Sequence, residues 1–161
     1  MTSIVYVSNT GSSKAYAEML GEKTGFGVYS LTDCGSVPEG SEVIFIGWVM
    51  AGSIQGLPQA REKFGSLKAV IAVGMMKSEK QDSDIKEKNA VTEPFFSLPG
   101  AFSMKKLTGM YKMMMGMMVK MMKSKLSESD EPNAKEVIAK FEEGFDMVDE
   151  KHLGEVLEFL K

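Results

Sequence analysis

Apolar and polar positions alternate in blocks along the amino-terminal part of the chain, and these blocks predict strands separated by helices. Short runs rich in Val, Ile and Phe are typical of strands that are buried on both faces. The predicted strands are Ser3–Ser8, Gly27–Ser30, Val43–Gly47, Lys68–Gly74 and a short strand within Pro94–Pro99. Strands of this kind, separated by helices, predict an α/β domain with a parallel sheet that is covered on both sides.

Helices are predicted between these strands and over the last third of the chain. Asp130 and Asp149 stand where N-cap residues are expected before the last two helices. The predicted helices are Ser13 to about Lys23, Leu57–Phe64, a turn at Ser83–Lys88, Met104–Lys123, Glu131–Glu143 and His152–Leu160. The segment from Trp48 to Gly56 is predicted to be a loop.

Composition and charge narrow the class of protein. A chain of 161 residues with 43% hydrophobic and 25% charged residues predicts a single domain spanning residues 1–161. The net charge of −3 argues against a nucleic-acid partner. Cys34 is the single cysteine, and Met1 to Ser3 lead directly into a strand, so we expect a cytoplasmic protein. The sequence shows no spacing typical of a catalytic triad or a metal site, and we predict neither.

Three loops leave the carboxyl ends of predicted strands, after Ser8, Gly47 and Gly74. An open parallel sheet binds its ligands at this edge, so the three loops predict one site. The first loop consists of small polar residues and opens a helix. Its residues are Ser8, Asn9, Thr10, Gly11, Ser12 and Ser13. Backbone N–H groups and hydroxyls at a helix start favour a small phosphate group. The alternative is an ordinary turn whose side chains cap the helix.

The second and third loops are predicted to line a flat ring. Trp48, the only tryptophan, offers an aromatic face for stacking, although a tryptophan at a strand end is also a common packing residue. The other lining residues are predicted to be Val49, Met50, Ala51 and Gly52 from the second loop and Gly74, Met75, Met76 and Lys77 from the third. The two methionines of the third loop form either a soft apolar wall or simple gap-filling side chains.

On these residues the chain resembles the flavodoxin family, and more narrowly the small flavodoxin-domain proteins that include menaquinone-dependent protoporphyrinogen oxidase. In that family a strand ends in a Ser/Thr-x-Thr-Gly-x-Ser/Thr loop that holds the phosphate of flavin mononucleotide (FMN), and residues Ser8–Ser13 match this pattern in full. The resemblance implies a three-layer α/β fold whose five-stranded parallel sheet has the order 2-1-3-4-5. It also implies that FMN is the cofactor and that Trp48 stacks on its ring.

The third loop departs from the family pattern, in which a tyrosine commonly covers the second face of the flavin. Met75 and Met76 occupy that region here. The activity that the resemblance implies is electron transfer between redox partner proteins. Two alternatives remain open: a flavin-dependent oxidoreductase resembling the protoporphyrinogen oxidase, which passes electrons from a planar organic substrate to a quinone, and a flavin-free interaction module.

The predicted helix at residues 104–123 carries an unusually broad apolar face. Nine of the chain's 15 methionines lie between Met104 and Met122, while residues 94–127 contain six lysines and no acidic residue. The methionines repeat at helical spacing, and together with Tyr111 and Val119 they form an apolar arc of roughly 240°, wider than the ~100° stripe that packing on a core requires. The helix therefore packs on the sheet alone, or it also contacts a protein partner, a second copy of the chain or a membrane surface.

Overall fold

Five parallel strands form the main sheet in a computed structural model that describes residues 1–74, 78–102, 109–127 and 143–161. The strands are β1 (Thr2–Val7), β2 (Gly27–Ser30), β3 (Glu42–Met50), β5 (Ala69–Gly74) and β6 (Phe95–Pro99). They lie in the order β2-β1-β3-β5-β6, and all neighbouring pairs on this path are parallel. The predicted order of the five parallel strands is therefore confirmed.

The helices follow the predicted alternation, with changes at their ends. They are α1 (Ser12–Thr24), α2 (Leu57–Phe64), α3 (Glu79–Lys88), α4 (Gly109–Ser127) and α5 (Gly154–Phe159), with 3₁₀-helices at Leu31–Ser36 and Glu150–Leu153. As predicted, Asp149 caps the second of these 3₁₀-helices, since its Oδ1 accepts a hydrogen bond from the N–H of Lys151 over 2.9 Å. The predicted helix Glu131–Glu143, its cap Asp130 and the first residues of Met104–Lys123 lie outside the described residues, apart from Glu143.

Helix α3 is longer than the predicted turn at Ser83–Lys88. It begins at Glu79 because Ser78 caps it: the Ser78 Oγ accepts a hydrogen bond from the N–H of Gln81 over 3.2 Å. A serine followed three residues later by glutamine is a known signal for a helix start. The signal was present in the sequence, but the apolar pattern of this segment is too weak to reveal the first turn.

Two apolar clusters cover the two faces of the sheet, which gives the three-layer arrangement. On one face, Ile4, Ile44 and Ile71 pack with α1 and α5. On the other face, Val5 and Phe45 pack with α2 and α3. Each strand contributes alternate residues to the two clusters because successive side chains point to opposite faces. The continuous apolar runs of the sequence are explained by this double burial.

The third strand is longer than predicted and turns back on itself. Trp48, Val49 and Met50, for which the sequence predicts a loop, continue β3, and a two-residue turn at Ala51-Gly52 leads into the short strand β4 (Ser53–Ile54). The two strands are antiparallel, with Val49 opposite Ile54 and Met50 opposite Ser53. The loop prediction from Trp48 to Gly56 is therefore wrong for these residues, because backbone pairing to β4 and β5 keeps them extended.

Contacts between residues divide the chain into two units. The first consists of Met1–Gly100 and Val148–Lys161, and the second of Ala101–Met147. Within the second unit, β7 (Ala101–Phe102) pairs antiparallel with β8 (Phe145–Asp146), and the rings of Phe102 and Phe145 lie 5.9 Å apart. Helix α4 also belongs to this unit. In the part of the chain for which a structure is given, every helix is too short or too polar to cross a membrane.

The only arginine of the chain, Arg61 on α2, holds the segment between α3 and β6. Its guanidinium donates to both carboxylate oxygens of Glu93, over 3.0 and 2.8 Å, and to the carbonyls of Asn89 and Ala90. The hydrogen bonds from Arg61 lower the pKa of Glu93 below its ordinary value. A planar group with several fixed donors suits four acceptors in this arrangement, whereas a lysine ammonium does not.

We expect Arg61→Lys to lower the free energy of unfolding by about 1–3 kcal/mol at neutral pH, because the hydrogen bonds to Glu93 and the two carbonyls are lost. Since the pKa of Glu93 is lowered in the folded state, its stabilisation is present above the ordinary carboxyl pKa and is lost as pH falls through the lowered one. Urea unfolding at a series of pH values measures both effects. A difference between wild type and variant that stays constant down to strongly acidic pH would contradict the role of the pair.

Candidate functional site

The strands that precede the three predicted loops end at one edge of the sheet because β1, β3 and β5 are neighbours and parallel. The carboxyl ends of the three strands are Val7, Met50 and Gly74. Val7 pairs with Gly47, and Trp48 pairs with Val73, so β1 and β5 end within about two residues of each other along β3, while β3 continues to Met50. This edge is where open parallel sheets bind ligands.

The first loop is shaped by Ser8 and Gly11. The Oγ of Ser8 accepts a hydrogen bond from the N–H of Gly11 over 3.0 Å. Gly11 has a φ of 105°, a left-handed conformation that favours glycine, and it directly precedes α1. No side chain caps this helix, and its first turn contains no acidic residue. The helix start therefore presents N–H groups and the positive end of the helix dipole, an arrangement that favours an anion.

Ser13 is the second notable feature of the first loop. Its side chain is buried, and its Oγ has no hydrogen-bond partner within the described ranges. A buried hydroxyl without a partner costs about 1–3 kcal/mol, so the position is unfavourable for the protein alone. Asn9 and Gly11 are exposed, and Ser8, Thr10 and Ser12 are half-buried. The loop thus combines exposed residues with a buried hydroxyl that has no hydrogen-bond partner among the described residues.

Gly100 brings the end of β6 close to the first loop and to the end of β5. Its N–H donates to the carbonyl of Gly74 over 2.6 Å. A Cβ built on Gly100 would lie 2.9 Å from Cγ1 of Val73 and 3.5 Å from Cβ of Ser12. Only a residue without a side chain fits this gap. The residue before Gly100 is fixed by Tyr16, whose hydroxyl donates a hydrogen bond to the carbonyl of Pro99.

Trp48 extends the edge of the sheet on the side of α1. It is half-buried, and strand alternation places it on the same face as Ile44 and Ile46, which pack towards that helix. Val49 points to the other face, where it packs against the cluster of α2 and α3. Met50 and Gly52 are half-buried and Ala51 is exposed. Trp48 and the first loop are therefore on one side of the sheet, and Val49 is on the other.

The turn of the β3–β4 hairpin is held by the end of α3. Ala51 and Gly52 have φ values of 50° and 80°, so the turn places a residue with a side chain in the left-handed region. Asn89 accepts a hydrogen bond from the N–H of Ile54 over 2.9 Å and donates to the carbonyl of Gly52 over 2.8 Å. The ammonium of Lys88 donates to the carbonyl of Ala51 over 2.6 Å. These contacts compensate the unfavourable backbone of Ala51 and fix the hairpin that carries Trp48.

The structure thus collects part of the predicted set. Ser8–Ser13, Gly74 and Trp48 lie at the carboxyl edge, while Met75, Met76 and Lys77 lie outside the described residues. Asn89, Lys88 and Gly100 contribute to the edge but were not predicted as site residues. The glycine after Pro99 was a readable signal for a turn. The role of Asn89 depends on a contact with residues about 35 positions earlier, and no local pattern indicates it.

Comparison with known proteins gives one result. A family model described as a flavodoxin domain matches residues 3–129, which is most of the chain. No curated protein and no solved structure matches the chain. The matched range includes all three loops of the carboxyl edge as well as α4.

Asn89 is expected to be a positioning residue for the hairpin. Asn89→Ala leaves the N–H of Ile54 and the carbonyl of Gly52 without partners, and we expect a loss of about 1–3 kcal/mol in unfolding free energy. Hydrogen exchange at the amides of Met50 and Ile54 should accelerate by about tenfold or more, because each 1.4 kcal/mol changes an opening equilibrium tenfold. Asn89→Asp keeps the acceptor for Ile54 and should protect that amide better than the alanine variant. Equal exchange in both variants and wild type would contradict this role.

Proposed function

The chain belongs to the flavodoxin domain family, and on this premise we propose that it binds one FMN non-covalently at the carboxyl edge and carries electrons between redox partner proteins. Members of this family are flavin-binding redox proteins. The finer statement, that the flavin is FMN and that the partners are proteins, is our proposal. It is supported by the arrangement of the first loop and by the position of Trp48.

The observation that carries the proposal is the uncapped start of α1 beside a buried, unpartnered hydroxyl. The helix has no side-chain cap, and the Oγ of Ser13 lacks a partner among the residues that are described. A terminal phosphate would satisfy both, because its oxygens accept hydrogen bonds from N–H and O–H groups. The residues present therefore fit the phosphate end of FMN. The loop itself contains no charged residue, so hydrogen bonds and the helix dipole would provide the binding.

The ring of the cofactor would lie against Trp48. An aromatic stack contributes about 0.5–1.5 kcal/mol beyond the burial of area. The hairpin holds Trp48 on the same side of the sheet as α1, where the phosphate would bind. One binding direction is thereby favoured, with the phosphate at the first loop and the ring at the second.

When bound, FMN supplies the redox chemistry, and the protein's residues orient the ring and limit its contact with water. Asn89 and Lys88 form hydrogen bonds to the hairpin. These bonds fix the hairpin and therefore the position of Trp48. Trp48 is half-buried rather than fully buried, which would leave this part of the edge accessible to a redox partner. This arrangement suits a carrier that exchanges electrons at its surface, and it requires no catalytic acid or base.

We expect Thr10→Val combined with Ser13→Ala to weaken FMN binding by about tenfold or more, because each hydrogen bond to a charged oxygen is worth about 1.5–3 kcal/mol. The affinity for riboflavin, which has no phosphate, should stay unchanged. Ser13→Ala alone should leave the protein without FMN as stable as wild type or more stable, since it removes an unpartnered buried hydroxyl. Fluorescence titration with each flavin and urea unfolding measure these effects.

A matched control makes the same chemical changes at the opposite edge of the sheet, with Thr92→Val combined with Ser66→Ala. Both residues are exposed and precede strands rather than follow them. This control should bind FMN and riboflavin as wild type does. If the Thr10 and Ser13 variant lost affinity for both flavins equally, the loop would not be the phosphate site. If purified wild type bound neither flavin, the proposed function would fail.

Trp48→Ala is expected to increase the fluorescence of bound flavin, because a stacked indole quenches an excited flavin ring. Affinity for FMN should fall by about two- to tenfold, which corresponds to the energy of one aromatic stack. Trp48→Phe keeps a flat aromatic face and should retain most of the affinity. Steady-state and time-resolved fluorescence of the FMN complex provide the measurement. Equal quenching in the alanine variant and wild type would exclude stacking by Trp48.

A further inference from the structure

Helix α4 exposes a stripe of methionines that the flavin site does not use. Five methionine side chains are largely exposed: Met110 at 66%, Met113 at 65%, Met114 at 45%, Met117 at 63% and Met121 at 59%. At ~100° per residue, these five positions fall within an arc of about 100° on the helix. Exposed apolar side chains scattered singly are ordinary, but a continuous stripe of five along one helix marks a contact surface.

The stripe lies on the side of α4 opposite to three half-buried residues among those whose side chains the structure describes. Gly116, Val119 and Lys123 are half-buried. The same helical spacing places these three about half a turn away from the centre of the methionine stripe. Among the side chains that the structure describes, the three half-buried residues and the five exposed methionines therefore lie on different faces of the helix. Of the alternatives for this helix, packing on a core does not account for the five exposed methionines.

Charge indicates what the stripe contacts. Residues 94–127 contain six lysines and no acidic residue, in a chain whose net charge is −3. Lys120 is exposed, and its position borders the stripe next to Met113 and Met117. An apolar stripe bordered by lysine is typical of a helix that lies in the interface of a membrane. Long lysine side chains extend their ammonium groups to headgroups while their stems stay against apolar surface.

We propose that α4 binds the surface of an anionic lipid bilayer, with its methionine stripe in the boundary between headgroups and acyl chains. The ammonium of Lys120, beside the stripe, contacts the anionic headgroups, and the other lysines of the segment add a weaker, longer-range attraction. A symmetric pair of chains would bring the same positively charged segment against itself, which charge repulsion disfavours. This proposal does not depend on flavin binding, because it rests on side chains of α4 in the second unit, whereas the proposed phosphate site consists of residues of the first unit.

The test uses the full chain and vesicles. We expect the protein to float with vesicles of equal parts phosphatidylglycerol and phosphatidylcholine, and not with vesicles of phosphatidylcholine alone. Raising the salt concentration should release it, since screening weakens attraction between exposed charges. The wild-type chain without vesicles should remain monomeric in sedimentation velocity over the concentrations used.

Two variants of exposed residues test the stripe, so neither is expected to affect folding. Met113→Ser combined with Met117→Ser should weaken partition onto the anionic vesicles by about tenfold, because apolar burial is lost. Met147→Ser, at an exposed methionine outside the helix, is the matched control and should bind as wild type does.

A second pair of variants tests the orientation of α4. Lys120→Glu should weaken partition by about tenfold or more, since it reverses a charge at the lipid surface. Lys112→Glu makes the same change at an exposed lysine on the other side of the helix, and it should lower binding less than about threefold because of distance and screening.

Four results of the vesicle experiments would overturn the proposal. They are absence of binding to anionic vesicles, equal binding to neutral vesicles, equal losses for the two lysine variants, and unchanged binding after the methionine substitutions. A dimer in sedimentation velocity that the substitutions at Met113 and Met117 abolish would assign the stripe to a second copy of the chain and would also overturn it. Each of these results leaves the flavin titrations unaffected, so failure here is distinct from failure of the proposed function.

Discussion

Burial of both faces of the parallel sheet is the constraint on which the rest of the first unit depends. Alternate side chains of each strand belong to different apolar clusters, one with α1 and α5 and the other with α2 and α3. Side chains within the strands are therefore committed to packing. The polar groups that could bind a ligand therefore lie at the strand ends, where loops leave the sheet and a helix begins. The uncapped first turn of α1 lies at such an end.

The parallel sheet could be predicted in detail because its signal is strong and local. Val43–Ile46 and Ala69–Val73 are apolar without interruption, and short helices separate the strands. The β3–β4 hairpin could not be predicted in the same way. Its turn is Ala51-Gly52, and alanine is a poor signal for a backbone with positive φ. The contacts from Lys88 and Asn89 that hold this turn come from a helix more than thirty residues later.

The candidate site was predictable to a similar extent and for similar reasons. The polar loop at Ser8–Ser13 is contiguous, so its composition predicts a phosphate site, and the structure places this loop at the start of α1. Trp48 and Val49 lie on opposite faces of the sheet because β3 continues past Gly47, where the predicted strand ends. The sequence pattern does not indicate this continuation. The methionines of α4 present another limit. Their spacing predicts one face of a helix, but spacing alone does not decide whether that face is buried or exposed, and the structure shows five of them exposed.

The division of the first unit in the sequence has a consequence for how the protein is made. Leu153 and Val156 are fully buried in the same cluster as Tyr16 and Leu20. Residues 101–147, which belong to the second unit, are translated after Tyr16 and Leu20 and before Leu153 and Val156. A ribosome that has finished the last parallel strand has therefore not yet produced the helix that completes this side of the core. The nascent sheet keeps an apolar face uncovered during that interval, which is the period when a chaperone would have a surface to bind.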